Sequence, residues 1–194
     1  MTLRERLFLK KLRARDEKAF SELVEEHSGR VLNLATKMMS NREEAEDIAQ
    51  EVFITVFKSI DKFRGDSKLS TWIYRIAINT CKNRLKYLSR REEDKKETLD
   101  GDRKEQSMGS GMFTKEVMSP LKNLEMNELK KLLDDCINEL DPDSKMVLVL
   151  RDINEHTYDE IAAILDCAEG TVKSKLFRAR SALRSLMARK LKEQ

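Results

Sequence analysis

Proline is scarce in this chain, with two residues among 194, and glycine is nearly as scarce with six. So few breakers leave long stretches free to be helical, and strand-type alternation is hard to find, so an all-α fold is expected. Cysteine is limited to Cys81, Cys136 and Cys167. An odd number at wide spacing suggests neither a disulfide framework nor a zinc ligand set. The two histidines, His27 and His156, stand apart from each other. Neither has partner spacing for a metal or a nucleophile, and no glycine-rich phosphate loop exists, so no catalytic residue, metal or cofactor is expected. No apolar run approaches membrane-spanning length, and the basic N-terminus lacks the apolar segment of a secretory leader. The expectation is a cytoplasmic protein with no membrane insertion of its own.

Charge is what the chain has in abundance. Asp, Glu, Lys and Arg make up 38% of it, yet the net charge is only +3. The signs are segregated. Residues 41–51 are acidic apart from Arg42, whereas Lys62 to Arg91 is basic apart from Asp66. From Thr171 to Lys192 there are Lys and Arg and no Asp or Glu. Two separate basic patches on a nearly neutral chain suggest two contact points on one polyanion.

The second patch lies in the most legible stretch, Thr157 to Leu186. Thr157 with Glu160 three residues on marks a capping-box start. Ile161, Ala162, Ile164 and Leu165 follow at helical spacing. Asp166 to Gly170 breaks the pattern, with Gly170 the residue most tolerant of an unusual backbone angle. Beyond the break Val172, Leu176, Ala179 and Leu183 share one face. The opposite face carries Lys173, Ser174, Phe177 and Arg178. This reads as a helix-turn-helix whose second helix is charged for phosphate and base contact.

Upstream, residues 16–39 read as two helices, broken at His27-Ser28-Gly29. Ser40 with Glu43 offers a capping box for a helix from Asn41 to about Ile60. Its inner face is Ala45, Ile48, Val52, Val56 and Ile60, and Asp47, Gln50 and Glu51 line up outward. Asp61 to Ser70 is a loop, and Thr71 opens a helix to about Leu88. Ile73, Ile76, Ala77, Thr80 and Cys81 lie on its inner face, with Trp72, Arg75, Asn79, Lys82, Asn83 and Lys86 on the other. Two placements are open for Trp72: a stacking platform for a single strand, or packing against the neighbouring loop. Periodicity then fails from Arg90 to Ser119, and a flexible linker is expected. Leu121 to Leu140 is an amphipathic helix; Asp141-Pro142 caps the next, from Asp143 to Arg151. The domain reading is 1–90, a linker at 91–119, and 120–194.

Four segments in this order carry a family resemblance: AEDIAQEVFITVF at 45–57, FRGDSKLSTWIYRIAINTCKNRLK at 63–86, HTYDEIAAILDC at 156–167 and EGTVKSKLFRAR at 169–180. The chain resembles a bacterial extracytoplasmic-function (ECF) sigma factor of the sigma-70 family, sigma-E-like in type. The resemblance implies sigma-2-like and sigma-4-like domains, the latter with the helix-turn-helix, and no enzymatic activity. It implies binding to core RNA polymerase, through the β′ clamp and β flap regions, and to promoter DNA; an anti-sigma factor is a further implied partner. Asp47, Gln50 and Glu51 map to the clamp-docking helix. Phe63, Lys68, Ser70, Thr71, Trp72, Asn79, Lys82 and Asn83 map to the reader and melter of the downstream (−10) element. Arg151, Thr171, Lys173, Ser174, Lys175, Phe177 and Arg178 map to the upstream (−35) reader. Lys173 and Lys175 stand where relatives often carry Arg, and lysine lacks the bidentate fork. Lys175 and Arg180 sit to the side of the reading face, at phosphate-contacting positions.

Two other classes explain less of the chain. A two-domain transcriptional regulator accounts for residues 141–190 and leaves the 63–86 segment without a task. An enzyme has no constellation to work with.

Overall fold

The computed structural model describes residues 2–39, 41–98 and 120–193; residues 99–119 of the expected linker lie outside these, whereas 91–98, expected as linker, are helical and continue the helix expected to end near Leu88. The described residues are helical, as the shortage of breakers requires. In chain order the helices are α1 (Leu3–Arg13), α2 (Glu17–Met38), α3 (Arg42–Ser59), α4 (Leu69–Thr98), α5 (Pro120–Asn138), α6 (Pro142–Leu148), α7 (Tyr158–Leu165) and α8 (Glu169–Lys190). A short 3₁₀ turn at Ile60–Lys62 follows α3, and a π turn at Val149–Ile153 continues α6. No described helix is long and apolar enough to cross a membrane.

Three local expectations need correction. α2 is continuous through His27-Ser28-Gly29. A mid-helix glycine costs about 1 kcal/mol relative to alanine, but here the tertiary stripe outweighs it. Leu23, His27, Val31 and Leu34 are all buried on one face, so His27 is a core position and not a break. The α3 N-cap is Asn41, whose side chain accepts from the Glu43 amide; Ser40 lies outside the described residues. At the helix-turn-helix corner the left-handed residue is Asp166 (φ 53°), while Gly170 is already inside α8. Asp enters that region more readily than most side chains, so the corner needs no glycine. The structure also adds α1, opened by a Thr2–Glu5 capping box.

The predicted stripe of α3 packs in full, and that of α8 does so through its first three residues, Leu183 being half-buried. Ala45, Ile48, Val52, Val56 and Ile60 are completely buried, as are Val172, Leu176 and Ala179 or nearly so. The two halves of the chain share one core. A continuous apolar cluster runs from Leu9 and Leu12 through Leu34, Ile48 and Ile73 to Leu150, Ile161 and Ile164. A smaller cluster of Ile137, Leu140, Val147, Leu148, Leu176 and Ala179 seats α8 on α5 and α6.

One charge is trapped where the halves meet. Lys145 on α6 is buried, and its ammonium donates to the Asn138 side chain at 2.8 Å and the Met38 carbonyl at 3.3 Å. Burial, aided by nearby Lys37, lowers its pKa from 10.5 to about 8. The unfolded chain therefore binds the proton more tightly than the folded one, and stability should rise with pH between those two values. Below pH 8 the whole penalty is present, on the order of 3 kcal/mol. Urea titrations across this window should show the rise in the wild type and its loss in Lys145→Met.

Candidate nucleic-acid interface

Three surfaces emerge from the expected site residues. On α3, Asp47, Gln50 and Glu51 are exposed along the face opposite the buried stripe. The face is held in register by Arg84 of α4, which pairs with Glu44 at 2.9 Å and approaches Glu51 at 3.9 Å. The next turn carries Ile54, which is 52% exposed, and Phe57. Phe57 is braced by Phe20 (ring centroids 4.7 Å apart) and by the Arg15 guanidinium over its ring at 4.9 Å. Sequence reasoning missed these two apolar side chains. The available signal was that Ile54 falls seven residues after Asp47, on the outward face.

The second surface is the 61–68 loop with the start of α4. Its base is built inward: Phe63 and Thr71 are buried, and Trp72 packs on Phe63 with ring centroids 5.3 Å apart. Of the two placements open for Trp72, the structure shows packing against the loop, and Phe63 is its partner rather than an open wall. Arg13 of α1 donates to the Phe63 carbonyl at 2.6 Å, and Arg15 pairs with Asp61 at 2.6 Å. Arg13 at the end of α1 and Arg15 just beyond it therefore clamp the loop, a role no motif announced. α4 begins at Leu69, so Ser70 and Thr71 stand in its first turn. Asn79 and Asn83 are exposed and Lys82 half-exposed, one to two turns further along. Lys68 reaches Glu160 of α7 at 2.9 Å.

The third surface is α8. Thr171, Lys173, Ser174 and Arg178 are exposed, and Phe177 is 75% exposed. An aromatic ring so bare, opposite a fully buried stripe, is what a helix presents to a partner. Lys173 pairs with Glu169 at 2.7 Å and sits over the Tyr158 ring. Lys175 pairs with Asp143 at 2.5 Å, and Arg180 forks onto Asp152. Arg151 approaches the same Tyr158 ring as Lys173. It donates to the His156 carbonyl at 2.8 Å and stacks over Tyr158 at 4.9 Å, bracing the approach to α7.

Ionisation follows from these contacts. Lys68 holds Glu160 down to about 2 despite partial desolvation. Burial lowers His156, with Glu160 opposing, so the imidazole leans toward neutral. Burial pushes Cys81 up to about 12, which makes its thiol inert. The three cysteines are free, and among the described residues no cluster of His, Cys, Asp or Glu is placed to hold a metal.

An acidic helix face, a loop-and-helix with amides and lysines, and a basic helix-turn-helix define a two-part, all-helical protein built to contact nucleic acid. The chain matches the family described as Sigma-70 region 2 over residues 23–91, and the one described as Sigma-70, region 4 over residues 130–183. It is 36% identical over 182 residues to the ECF RNA polymerase sigma-E factor of Escherichia coli strain K12, covering 93% of both chains. The Haemophilus influenzae sigma-E factor is similar at 36% identity over 178 residues, 92% of each. The fold resembles the sigma factor RpoE from Bartonella quintana solved with the anti-sigma factor NepR. That match has a TM-score of 0.67 and 22% identity, and covers 88% of this chain and 98% of the other. It also resembles CnrH solved with the cytosolic domain of CnrY (TM-score 0.64, 20% identity, 94% and 96% covered). The chain belongs to the ECF sigma factors of the sigma-70 family. It binds core RNA polymerase and directs it to promoters.

Proposed function

We propose that the sigma-factor work is divided among these surfaces, and that the chain is an initiation factor in the cytoplasm rather than an enzyme. Residues 1–90 form the sigma-2-like part and 120–194 the sigma-4-like part, joined by 91–119. Asp47, Gln50 and Glu51, extended by Ile54, dock on the β′ clamp, while the second part meets the β flap. Lys68, Ser70 and Thr71, with Asn79, Lys82 and Asn83, engage the downstream element as a melted strand. Phe63 and Trp72 form the floor of that surface. Unstacking a base costs a few kcal/mol, and polar contacts to its exposed edge offset that cost.

Phe177 is the observation that carries the upstream assignment. With three-quarters of it exposed on the face opposite Val172, Leu176 and Ala179, it has no role inside the fold. In a major groove it can meet a thymine methyl. Thr171, Lys173, Ser174 and Arg178 surround it as polar and charged contacts. Lys175 contacts phosphate once it leaves Asp143, and Arg151 acts as a brace for α7. Arg178→Ala should weaken promoter binding by about 1–3 kcal/mol if it reads a base edge. The check is discrimination between the promoter and one with a mutated upstream element. Unchanged discrimination would remove Arg178 from the reading set.

An anti-sigma factor controls this chain, a reading supported by the fold's likeness to the sigma factor RpoE solved with the anti-sigma factor NepR. The deciding experiment for the whole function is in vitro transcription. With purified core polymerase and a cognate promoter, this chain should initiate without another sigma factor. Silence would favour an ordinary regulator.

A further inference from the structure

The turn between α1 and α2 holds an arginine in a glycine's conformation. α1 ends in a Schellman closure, in which the Asp16 amide donates to the Lys11 carbonyl at 3.1 Å and the Arg15 amide to the Leu12 carbonyl at 3.0 Å. Arg15 is the left-handed residue of that closure, with φ 60°. Glycine is the usual occupant of such a position and asparagine the next, because a Cβ is disfavoured there. A long side chain at this position is therefore a cue to look at what it touches.

Arg15 is held at three points. Its Nη1 donates to the Phe57 carbonyl in the last turn of α3, where carbonyls run out of intrahelical partners. Its Nη2 pairs with the Asp61 carboxylate at 2.6 Å, and its guanidinium lies over the Phe57 ring at 4.9 Å. Asp61 is 59% exposed, so the ion pair alone contributes little. What matters is the fork: one planar group fixes a backbone carbonyl and a carboxylate at once, which a lysine ammonium does not reproduce. The contact lands at the root of the 61–68 loop. Next to it, Arg13 donates to the carbonyl of buried Phe63, on which Trp72 rests.

We propose that Arg15 is a positioning residue for strand opening: it fixes where the 61–68 loop leaves α3, and so presets the floor on which the downstream strand is received. The inference rests on the assignment of that loop to the downstream reader. Arg15 acts through Asp61 and Phe57 and touches neither Lys68 nor Ser70. Presetting matters because a loop that has to be ordered during opening takes its ordering free energy out of the opening step.

Arg15→Gly is the informative variant, since glycine accepts the left-handed backbone and only the side chain is lost. Trp72 is the chain's one tryptophan, so its fluorescence reports the loop floor in the full chain without any nucleic acid. In Arg15→Gly, helix content should match the wild type while acrylamide quenching of Trp72 rises. Affinity for core polymerase should be unchanged, because Asp47, Gln50 and Glu51 are untouched. Opening of a cognate promoter, read by permanganate reactivity of unpaired thymines, should fall severalfold. Asp61→Asn should give the same pattern more weakly and add little to Arg15→Gly, since both act through one contact. Arg15→Lys should fall between wild type and Arg15→Gly. Unchanged Trp72 quenching in Arg15→Gly overturns the positioning. Equal losses of core affinity and opening overturn it too, because they report general destabilisation. So do losses from Arg15→Gly and Asp61→Asn that add in full. Raised quenching with normal opening overturns the proposal by another route: Arg15 would hold the loop, but the loop would not read the strand, and the reader assignment would fall with it.

Discussion

Asp47→Lys combined with Gln50→Ala should eliminate co-purification with core polymerase while leaving the fold intact. Both side chains are exposed, neither joins an ion pair that supports the core, and the buried stripe of α3 lies on the other side of the helix. Helix content and melting temperature should therefore match the wild type. If α3 docks through this face, the effect on binding is large because the reversed charge meets a surface that had faced an anion. Like charges brought together at an interface cost several kcal/mol, which is ~100-fold or more in affinity. Pull-down and fluorescence titration with purified core enzyme measure it. A double variant that still binds with wild-type affinity would move the docking face elsewhere on the molecule.

Leu150→Ala should cost about 2–5 kcal/mol of stability, the usual range for emptying a packed leucine site. Leu150 is completely buried in the cluster shared by both halves, and its carbonyl accepts from the His156 amide at 3.0 Å. It thus anchors the π turn that aims Arg151 at Tyr158 and delivers the chain to α7. A loss of that size is a large part of the 5–15 kcal/mol typical of whole domains. Urea denaturation reads the loss, and the variant should also weaken upstream-element binding although it touches no DNA. A loss well under 1 kcal/mol would mean the π turn is held by something other than this side chain.

These two substitutions mark out how the molecule is arranged. In the proposed division of work, the acidic face of α3 lies on the side away from its buried stripe. The surface proposed to read the downstream element borders the junction of the halves, where Lys68 and the Arg75 guanidinium are engaged by α7.

The sequence by itself determined the helical fold and, for α3 and α8, which face turns inward and which outward. Period and capping are local properties, so Thr157 with Glu160, Asp141 with Pro142, and the stripes of α3 and α8 were legible without a structure. The same logic placed Asp47, Gln50, Glu51 and Phe177 on outer faces, where the structure also has them. Local logic failed where distant packing outweighed a weak local preference. The stripe through His27 carries α2 past Gly29, Asp166 takes the left-handed corner that glycine was expected to fill, and the end of α1 with the turn after it holds the downstream loop through Arg13 and Arg15. Only the tertiary structure could show that Trp72 rests on Phe63, that Arg151 braces Tyr158, and that Lys68 finds Glu160 ninety-two residues away. A helical period records which face of a helix turns inward. It carries no information about which distant residue that face, or the edge beside it, will meet.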